Sequence, residues 1–358
     1  MTYATPPGNM PELARLIDGG DMDCGSGLLL LITRAMRRLD DGQLLGIRSA
    51  ERSVTADLPV WAEMVSHEIV AQAEDSAQGP WWFAVRKGVA TDTVFSQGRR
   101  TPVGHRLWAY TNFDCNLACL YCCAASSPKA IARRLDPAVA GEAFAEFRSL
   151  GGRELFLTGG EPFMHPDLGK LVDAGEGLER TILTNAMIFA RGTRRETLEQ
   201  LDRSVVLQVS LDSAGPELHD RQRGAGSWAR AMSGIGLAHS LGFRVRVAAT
   251  MFDEDPEGVA ALHARLDDEG IATDDRVIRP VAQEGFAETG IHVSLDNLEP
   301  EPTITADGAW WHPVAVTNSN MKIADSPLPV AEIFGVVRDI LTVQDAAARA
   351  GREVFRCA

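Results

Sequence analysis

The chain is short of positive charge: 35 Lys and Arg stand against 49 Asp and Glu in 358 residues, a net charge of -14. That shortage argues against broad electrostatic binding to DNA, RNA or an anionic membrane surface, although a local basic patch stays open. Long apolar runs are missing too. The longest aliphatic run, Leu28 to Ile32, is far too short to span a bilayer. Met1 to Gly20 lacks a basic start followed by an apolar stretch, so no signal peptide is expected. Cysteines are few and unevenly placed: Cys24, Cys115, Cys119, Cys122, Cys123 and Cys357. Such clustering is not the framework of a disulfide-stapled secreted domain. The expectation is a protein of the reducing cytoplasm, with no nucleic acid and no membrane as partner.

With 45% hydrophobic and 23% charged residues, the composition is that of an ordinary globular chain, and its length suggests two or three domains. What stands out is Asp114 to Cys123, DCNLACLYCC, in which Cys115, Cys119 and Cys122 form a C-x3-C-x2-C triplet. A closed structural zinc site wants four ligands, so three thiolates would make an incomplete one. A four-iron four-sulfur cluster held by three cysteines leaves one iron free for another ligand. The plainer alternatives are a zinc knuckle or three buried thiols. The spacing resembles the radical S-adenosylmethionine (radical SAM) superfamily. That resemblance implies that Cys115, Cys119 and Cys122 hold a 4Fe-4S cluster and that its open iron chelates S-adenosylmethionine. An external one-electron donor such as flavodoxin or ferredoxin then reduces the cluster. Cleavage of the cofactor gives a 5′-deoxyadenosyl radical that abstracts hydrogen from a substrate the sequence leaves unknown.

Downstream, strands and helices alternate. Strands are expected at Arg106–Thr111, Glu154–Thr158, Thr181–Thr184, Val205–Leu211, Arg244–Thr250 and Arg276–Pro280, with helices between them. Six strands with helical crossovers make a parallel sheet with helices outside. This matches the partial (β/α)6 barrel implied by the resemblance, whose chemistry gathers at the C-terminal strand ends. Four motifs fall there. Thr158-Gly159-Gly160-Glu161-Pro162 resembles the superfamily's GGEP motif, whose backbone and glutamate hold the cofactor's amino group; its two glycines let backbone approach a ligand closely. Asn185, after the third strand, resembles a cofactor contact. Ser210 looks like a ligand of the methionyl or ribose part, and Asp212 like a supporting acceptor. His219 to Gly224 resembles the HD-x-x-RG stretch of peptide-modifying relatives, which implies that Arg223 pairs with the cofactor's carboxylate. Tyr121 matches an aromatic position near adenine. Each could instead be ordinary strand-end packing. Cys123 stands outside the triplet and reads as a local thiol.

Residues 1–88 read as β-α-β-α-β-β, a two-layer domain with both helices on one face. One helix carries Leu28, Ile32, Ala35, Met36 and Leu39 on its apolar face, with Arg34, Arg37 and Arg38 mostly off it. A second is capped at Asp57, with Pro59 in its first turn. Cys24 precedes the first helix, where the helix dipole favours a thiolate. The stretch resembles the TusA-like sulfur-carrier family, on Cys24, the two helices, Ser66-His67-Glu68 and Val85-Arg86-Lys87-Gly88. That implies Cys24 as a carrier of persulfide sulfur and a sulfur donor protein as partner. The family's Cys-Pro-x-Pro is replaced here by Gly25 and Gly27 around Ser26, which weakens the carrier reading more than the fold reading. His67 reads as structural.

Residues 89–104 form a polar linker, 105–280 the barrel and 281–358 a C-terminal extension. The extension resembles SPASM-type regions but lacks their cysteines, with Val314 where one would follow the proline, so no auxiliary cluster is expected. A hairpin is expected around Asp307-Gly308, and a helix over Val330–Leu341. Trp310, Trp311 and His312 read either as a substrate-pocket wall or as a packed core, and Cys357 as a tail thiol. The expected function is a radical SAM enzyme, with sulfur or selenium transfer through Cys24. The alternatives are modification of a peptide or small metabolite with residues 1–88 as a docking module, or a non-catalytic metal-binding protein.

Overall fold

The computed structural model describes residues 6–8, 10–23, 27–65, 67–74, 79–88, 102–252, 255–295 and 297–354. Cys24, Cys357 and most of the expected linker lie outside them.

The first sheet follows the expected order. It runs β1 (Arg15–Asp18), α1 (Leu29–Arg37), β2 (Leu44–Ser49), α2 (Val54–Met64), β3 (Glu68–Glu74) and β4 (Trp81–Arg86). Spatial order is β1-β2-β4-β3, with β1 parallel to β2 and the other pairs antiparallel. Strand β4 alternates, so Trp81, Phe83 and Val85 point to one face. They share a core with Leu29, Ile32 and Met36 from α1 and with Leu58 and Trp61 from α2, which places both helices on that face. One expected detail changes. Helix α2 begins at Val54 rather than at an Asp57 cap; Asp57 sits in its first turn, where an acid suits the dipole, and Pro59 lies inside the helix. His67 packs edge-on against Trp61 at 5.4 Å and accepts a hydrogen bond from the Gly88 amide.

The second sheet has nine strands. Six are parallel: β5 (Arg106–Tyr110), β6 (Glu154–Thr158), β7 (Glu179–Thr184), β8 (Val206–Ser210), β9 (Val245–Met251) and β10 (Arg276–Pro280), side by side in chain order. The crossovers carry α3 (Pro137–Ser149), α4 (Leu168–Ala174), α5 (Thr193–Gln200), α6 (Pro216–Arg223), α7 (Ser227–Ser240) and α8 (Pro256–Asp268). Helix α6 is one that hydrophobic periodicity does not show: it is PELHDRQR, and only His219 and Gln222 are buried. The expected hairpin forms as β11 (Thr303–Thr305) and β12 (Gly308–Trp310), joined to β13 (Lys322–Ala324). Its placement is new: β11 pairs in parallel with β5 and extends the barrel sheet. Trp310 and Trp311 are buried in the main core, which settles them as packing residues.

Helix α9 (Val330–Val354) is much longer than its expected span. It packs on α3 and on α1, and it contributes Val337 and Ile340 to the barrel core but Val343 to the core of the first sheet. Arg34, Arg37 and Arg38, off the apolar face of α1, reach across to the C-terminal segments. Arg34 and Arg38 pair with Asp325, and Arg37 with Asp339. Gly335 on α9 is where the Arg37 guanidinium lies; a Cβ there would meet its Nη1 at 2.6 Å.

Candidate active site

The cysteine loop leaves the C-terminal end of β5 and is fastened to most of the strand ends around it. At β6, the Gly160 amide donates to the Asn112 carbonyl at 2.9 Å and the Glu161 amide to the Asp114 carbonyl at 3.1 Å. At β7, Asn185 Nδ2 donates to Asn116 Oδ1 at 2.8 Å. At β8, the Tyr121 hydroxyl donates to Asp212. At α6, the Gln222 carbonyl accepts from the Leu120 amide at 3.0 Å. Beyond β10, the Phe286 amide donates to the Cys122 carbonyl at 3.0 Å, and Thr317 donates to the Cys123 carbonyl at 3.1 Å.

The two glycines of the GGEP motif therefore have a different immediate task from the expected one. Gly159 has φ +144, and a Cβ on it would lie 2.4 Å from the Asn112 carbonyl oxygen; one on Gly160 would lie 2.2 Å from that of Asp114. What they admit at close range is the chain's own backbone, the root of the cysteine loop. Asn112 completes the joint by donating to the carbonyls of Asp114 and Glu161. Arg134 holds Asp114 from outside at 3.1 Å. Sequence reading overlooked Asn112, Asn116 and Arg134; only their closeness to Cys115 hinted at the two asparagines.

Burial pushes the Cys115 thiol far up and Cys119 to about 11. Uncompensated, these sulfurs stay protonated; a bound metal centre reverses that order by supplying the missing positive charge. Backbone amides already face two sulfurs: Leu117 N lies 3.4 Å from Cys115 Sγ and Ser126 N 3.3 Å from Cys122 Sγ. Such donors stabilise thiolate ligands. Among the described residues no three His, Cys, Asp or Glu side chains converge as ligands of one metal ion. A four-iron cluster takes each thiolate on a different iron and needs no such convergence.

Glu161 is fully buried. It accepts from the Thr184 hydroxyl at 2.7 Å, the Asn185 amide at 2.8 Å and the Phe163 amide at 3.2 Å. Among the described residues it has no cationic partner. Burial outweighs those hydrogen bonds and raises its carboxyl to about 7. A buried carboxylate with neutral donors only is suited to a ligand that brings an ammonium group. Pro162 opens the short turn Pro162–Met164 that fixes this carboxylate.

Asp212 is also fully buried but is fully partnered. Arg223 grips it with Nε at 2.6 Å and Nη2 at 3.0 Å, the Thr250 amide donates at 3.2 Å, and Tyr121 closes the set. Burial alone would raise Asp212, yet Arg223 together with the Tyr121 hydrogen bond and His219 outweighs it and holds the carboxyl below its ordinary value. Arg223 is thus committed to Asp212 in this structure, where the sequence suggested a cofactor carboxylate. Its guanidinium also sits 5.4 Å from the Tyr121 ring centre. His219 orients the joint by accepting from the Asp212 amide at 3.1 Å; burial, then Arg223, lowers its pKa to about 4, so it is neutral. Ser210 ends β8, half-buried. Cys123 is half-buried beside Tyr110, and burial, then the neighbouring Cys122, raises its thiol to about 12.

Comparison with known proteins agrees with this arrangement. Residues 111–265, less than half of the chain, match the family described as Radical SAM superfamily. A curated relative, the antilisterial bacteriocin subtilosin biosynthesis protein AlbA of Bacillus subtilis, is 32% identical over 151 residues, 39% of this chain and 32% of that protein. The PqqA peptide cyclase of Ruegeria pomeroyi is 35% identical over 156 residues, 42% of this chain and 40% of that protein. The chain spans less than half the length of these relatives. The solved structure of native anSMEcpe with bound AdoMet superposes with a TM-score of 0.51 over 66% of this chain and 82% of that one, at 11% identity, which is a likeness of fold. The superfamily uses a 4Fe-4S cluster and S-adenosylmethionine, and the donor set described above fits both.

Proposed function

We propose that the chain is a radical SAM enzyme: it binds a 4Fe-4S cluster and S-adenosylmethionine, cleaves the cofactor reductively and abstracts hydrogen from its substrate. The observation that carries this is the pairing of three thiols on one clamped loop with a buried carboxylate that has no cationic partner among the described residues. Cys115, Cys119 and Cys122 are the cluster ligands. Glu161, with Gly159, Gly160 and Pro162 holding it in place, receives the cofactor's amino group. Asn185 and Ser210 line the same strand ends, and the Asp212–Arg223–Tyr121 unit keeps the loop rigid beside them. When bound, the two cofactors supply the one-electron cleavage and hydrogen-abstraction chemistry. The protein positions them and keeps out water.

The test is anaerobic. Reconstituted, reduced protein is given S-adenosylmethionine, and 5′-deoxyadenosine is quantified against Cys119→Ala. Product in the wild type alone supports the reading. No product from reconstituted wild type, with or without candidate substrates, contradicts it.

A peptide or small metabolite is the substrate class that the matched relatives' names support. Coupling to sulfur or selenium transfer through Cys24 is the second reading, with a sulfur donor protein as partner. The β-α-β-α-β-β order of residues 1–88 supports the TusA-like resemblance. Gly27 docks on the C-terminal extension, where a Cβ would lie 2.6 Å from the Asn320 carbonyl oxygen. Asn318, two residues away, bonds Glu284, next to Gly285, which packs on the cysteine loop. The helix that follows Cys24 is thereby seated on the segment that reaches the loop. Unchanged product from Cys24→Ala would remove this reading. In the C-terminal extension, the hairpin and the Val314 position are read as a SPASM-like region without an auxiliary cluster. Among the described residues no helix is long and apolar enough to cross a membrane.

A further inference from the structure

A groove of about 900 Å³ opens beside the cysteine loop, between the segment that follows β7, the start of α5, and α7. Its floor is apolar, with Met164, Met187 and Leu237. One end reaches Asn116, the residue after Cys115, whose side chain is bonded to Asn185. Its rim carries Arg191, Arg194 and Arg230, all exposed. Among the described residues none of the three has an ion pair or hydrogen bond. Their neighbours behave differently: Arg195, one residue along, pairs with Glu199, and Arg203 bonds the carbonyls of Leu201 and Leu241. In a chain of net charge -14, three unpaired cations around one groove stand out in sign.

We propose that this groove docks an acidic one-electron carrier protein; the proposal rests on the radical SAM reading of Cys115, Cys119 and Cys122. Exposed, hydrated guanidiniums hold a small anion only weakly. A protein surface bearing several carboxylates is different, because rim charges of opposite sign steer its approach and set its orientation, and an apolar floor adds short-range contact. A carrier is the fitting partner because the bound cluster needs an electron from outside. Among the described residues only Cys123 remains beyond the triplet, too few thiols for a second relay centre. One electron leaves the reduced carrier and enters the cluster; no bond is made or broken, and no group moves.

The test uses flavodoxin as the carrier and the charge-reversed variant Arg191→Glu/Arg194→Glu/Arg230→Glu. Binding of flavodoxin to the full chain is measured at low and high salt, separately from activity. Cluster reduction is followed optically with flavodoxin and, as a control, with dithionite. The expected result is salt-sensitive binding that the reversal weakens by roughly tenfold or more. Reduction by flavodoxin slows, while reduction by dithionite is unchanged. The neutral set Arg191→Gln/Arg194→Gln/Arg230→Gln should fall between the two, and it replaces the reversed variant if that one misfolds. Equal flavodoxin binding and reduction in all three proteins would overturn the docking proposal and leave the cluster reading standing. A reconstituted wild type that dithionite cannot reduce would overturn the cluster reading and the docking proposal with it. An acidic peptide that fills the groove without displacing flavodoxin would assign the groove to peptide and also overturn the proposal.

Discussion

Glu161 and Asp212 are two buried carboxylates, one just past the end of β6 and one just past the end of β8, and they face opposite electrostatic settings. On the β8 side, Asp212 meets Arg223, Tyr121 and a backbone amide, so its charge is answered within the protein. On the β6 side, Glu161 meets only neutral donors among the described residues, and burial lifts its carboxyl to about 7. The first carboxylate completes a structural joint. The second is left short of one positive charge, beside the cysteine loop, where an ammonium group would supply it. Burial alone does not separate the two carboxylates; a cationic partner among the described residues does.

The comparison can be broken at several points. The largest effect is expected outside both carboxylates. Cys119→Ala should abolish cluster incorporation, seen as loss of iron, sulfide and visible absorbance after reconstitution. Next, Asp212→Ala leaves the Arg223 guanidinium buried without its acid. This should cost about 3–5 kcal/mol in denaturant unfolding of the apoprotein. The double variant Asp212→Leu/Arg223→Met should recover much of that loss, which would show that the pair serves structure.

Glu161 should behave in the opposite way with pH. Its carboxyl rises from an ordinary 4.5 to about 7 on folding, so the native state binds the proton more tightly than the unfolded chain. Its contribution to apoprotein stability is therefore fullest below the ordinary value and declines as pH climbs to about 7, by roughly 3 kcal/mol in all. Glu161→Gln should flatten that decline, measured as unfolding free energy against pH. Asp212, held low, contributes in the other direction: its share is present above its unfolded pKa and is lost as pH falls. A smaller effect is expected from Gly160→Ala. Its Cβ would lie 2.2 Å from the Asp114 carbonyl oxygen, so backbone must shift, at about 1–3 kcal/mol.

Much of this site can be read from residues in order. The cysteine spacing, the strand–helix alternation and Glu161 after its strand are local patterns, and local patterns survive in a sequence. The pairing of Arg223 with Asp212 is not local in the same sense. It depends on α6, a helix too polar to show an apolar stripe, turning Arg223 back onto the strand end eleven residues before it. The role of Gly159 and Gly160 depends on which backbone lies opposite, and that is set by the β5–β6 register. Likewise β11 is three residues long, so its parallel pairing with β5 leaves no periodic trace. Cys24 remains a reading from sequence alone.

The most direct measurement is calorimetric titration of S-adenosylmethionine into anaerobically reconstituted protein, wild type against Glu161→Gln. The account predicts that Glu161→Gln keeps its cluster but binds the cofactor at least about tenfold more weakly, a loss of roughly 1.4 kcal/mol or more. Equal affinity in the two proteins would show that the unpartnered carboxylate does not receive the cofactor, and would contradict the account.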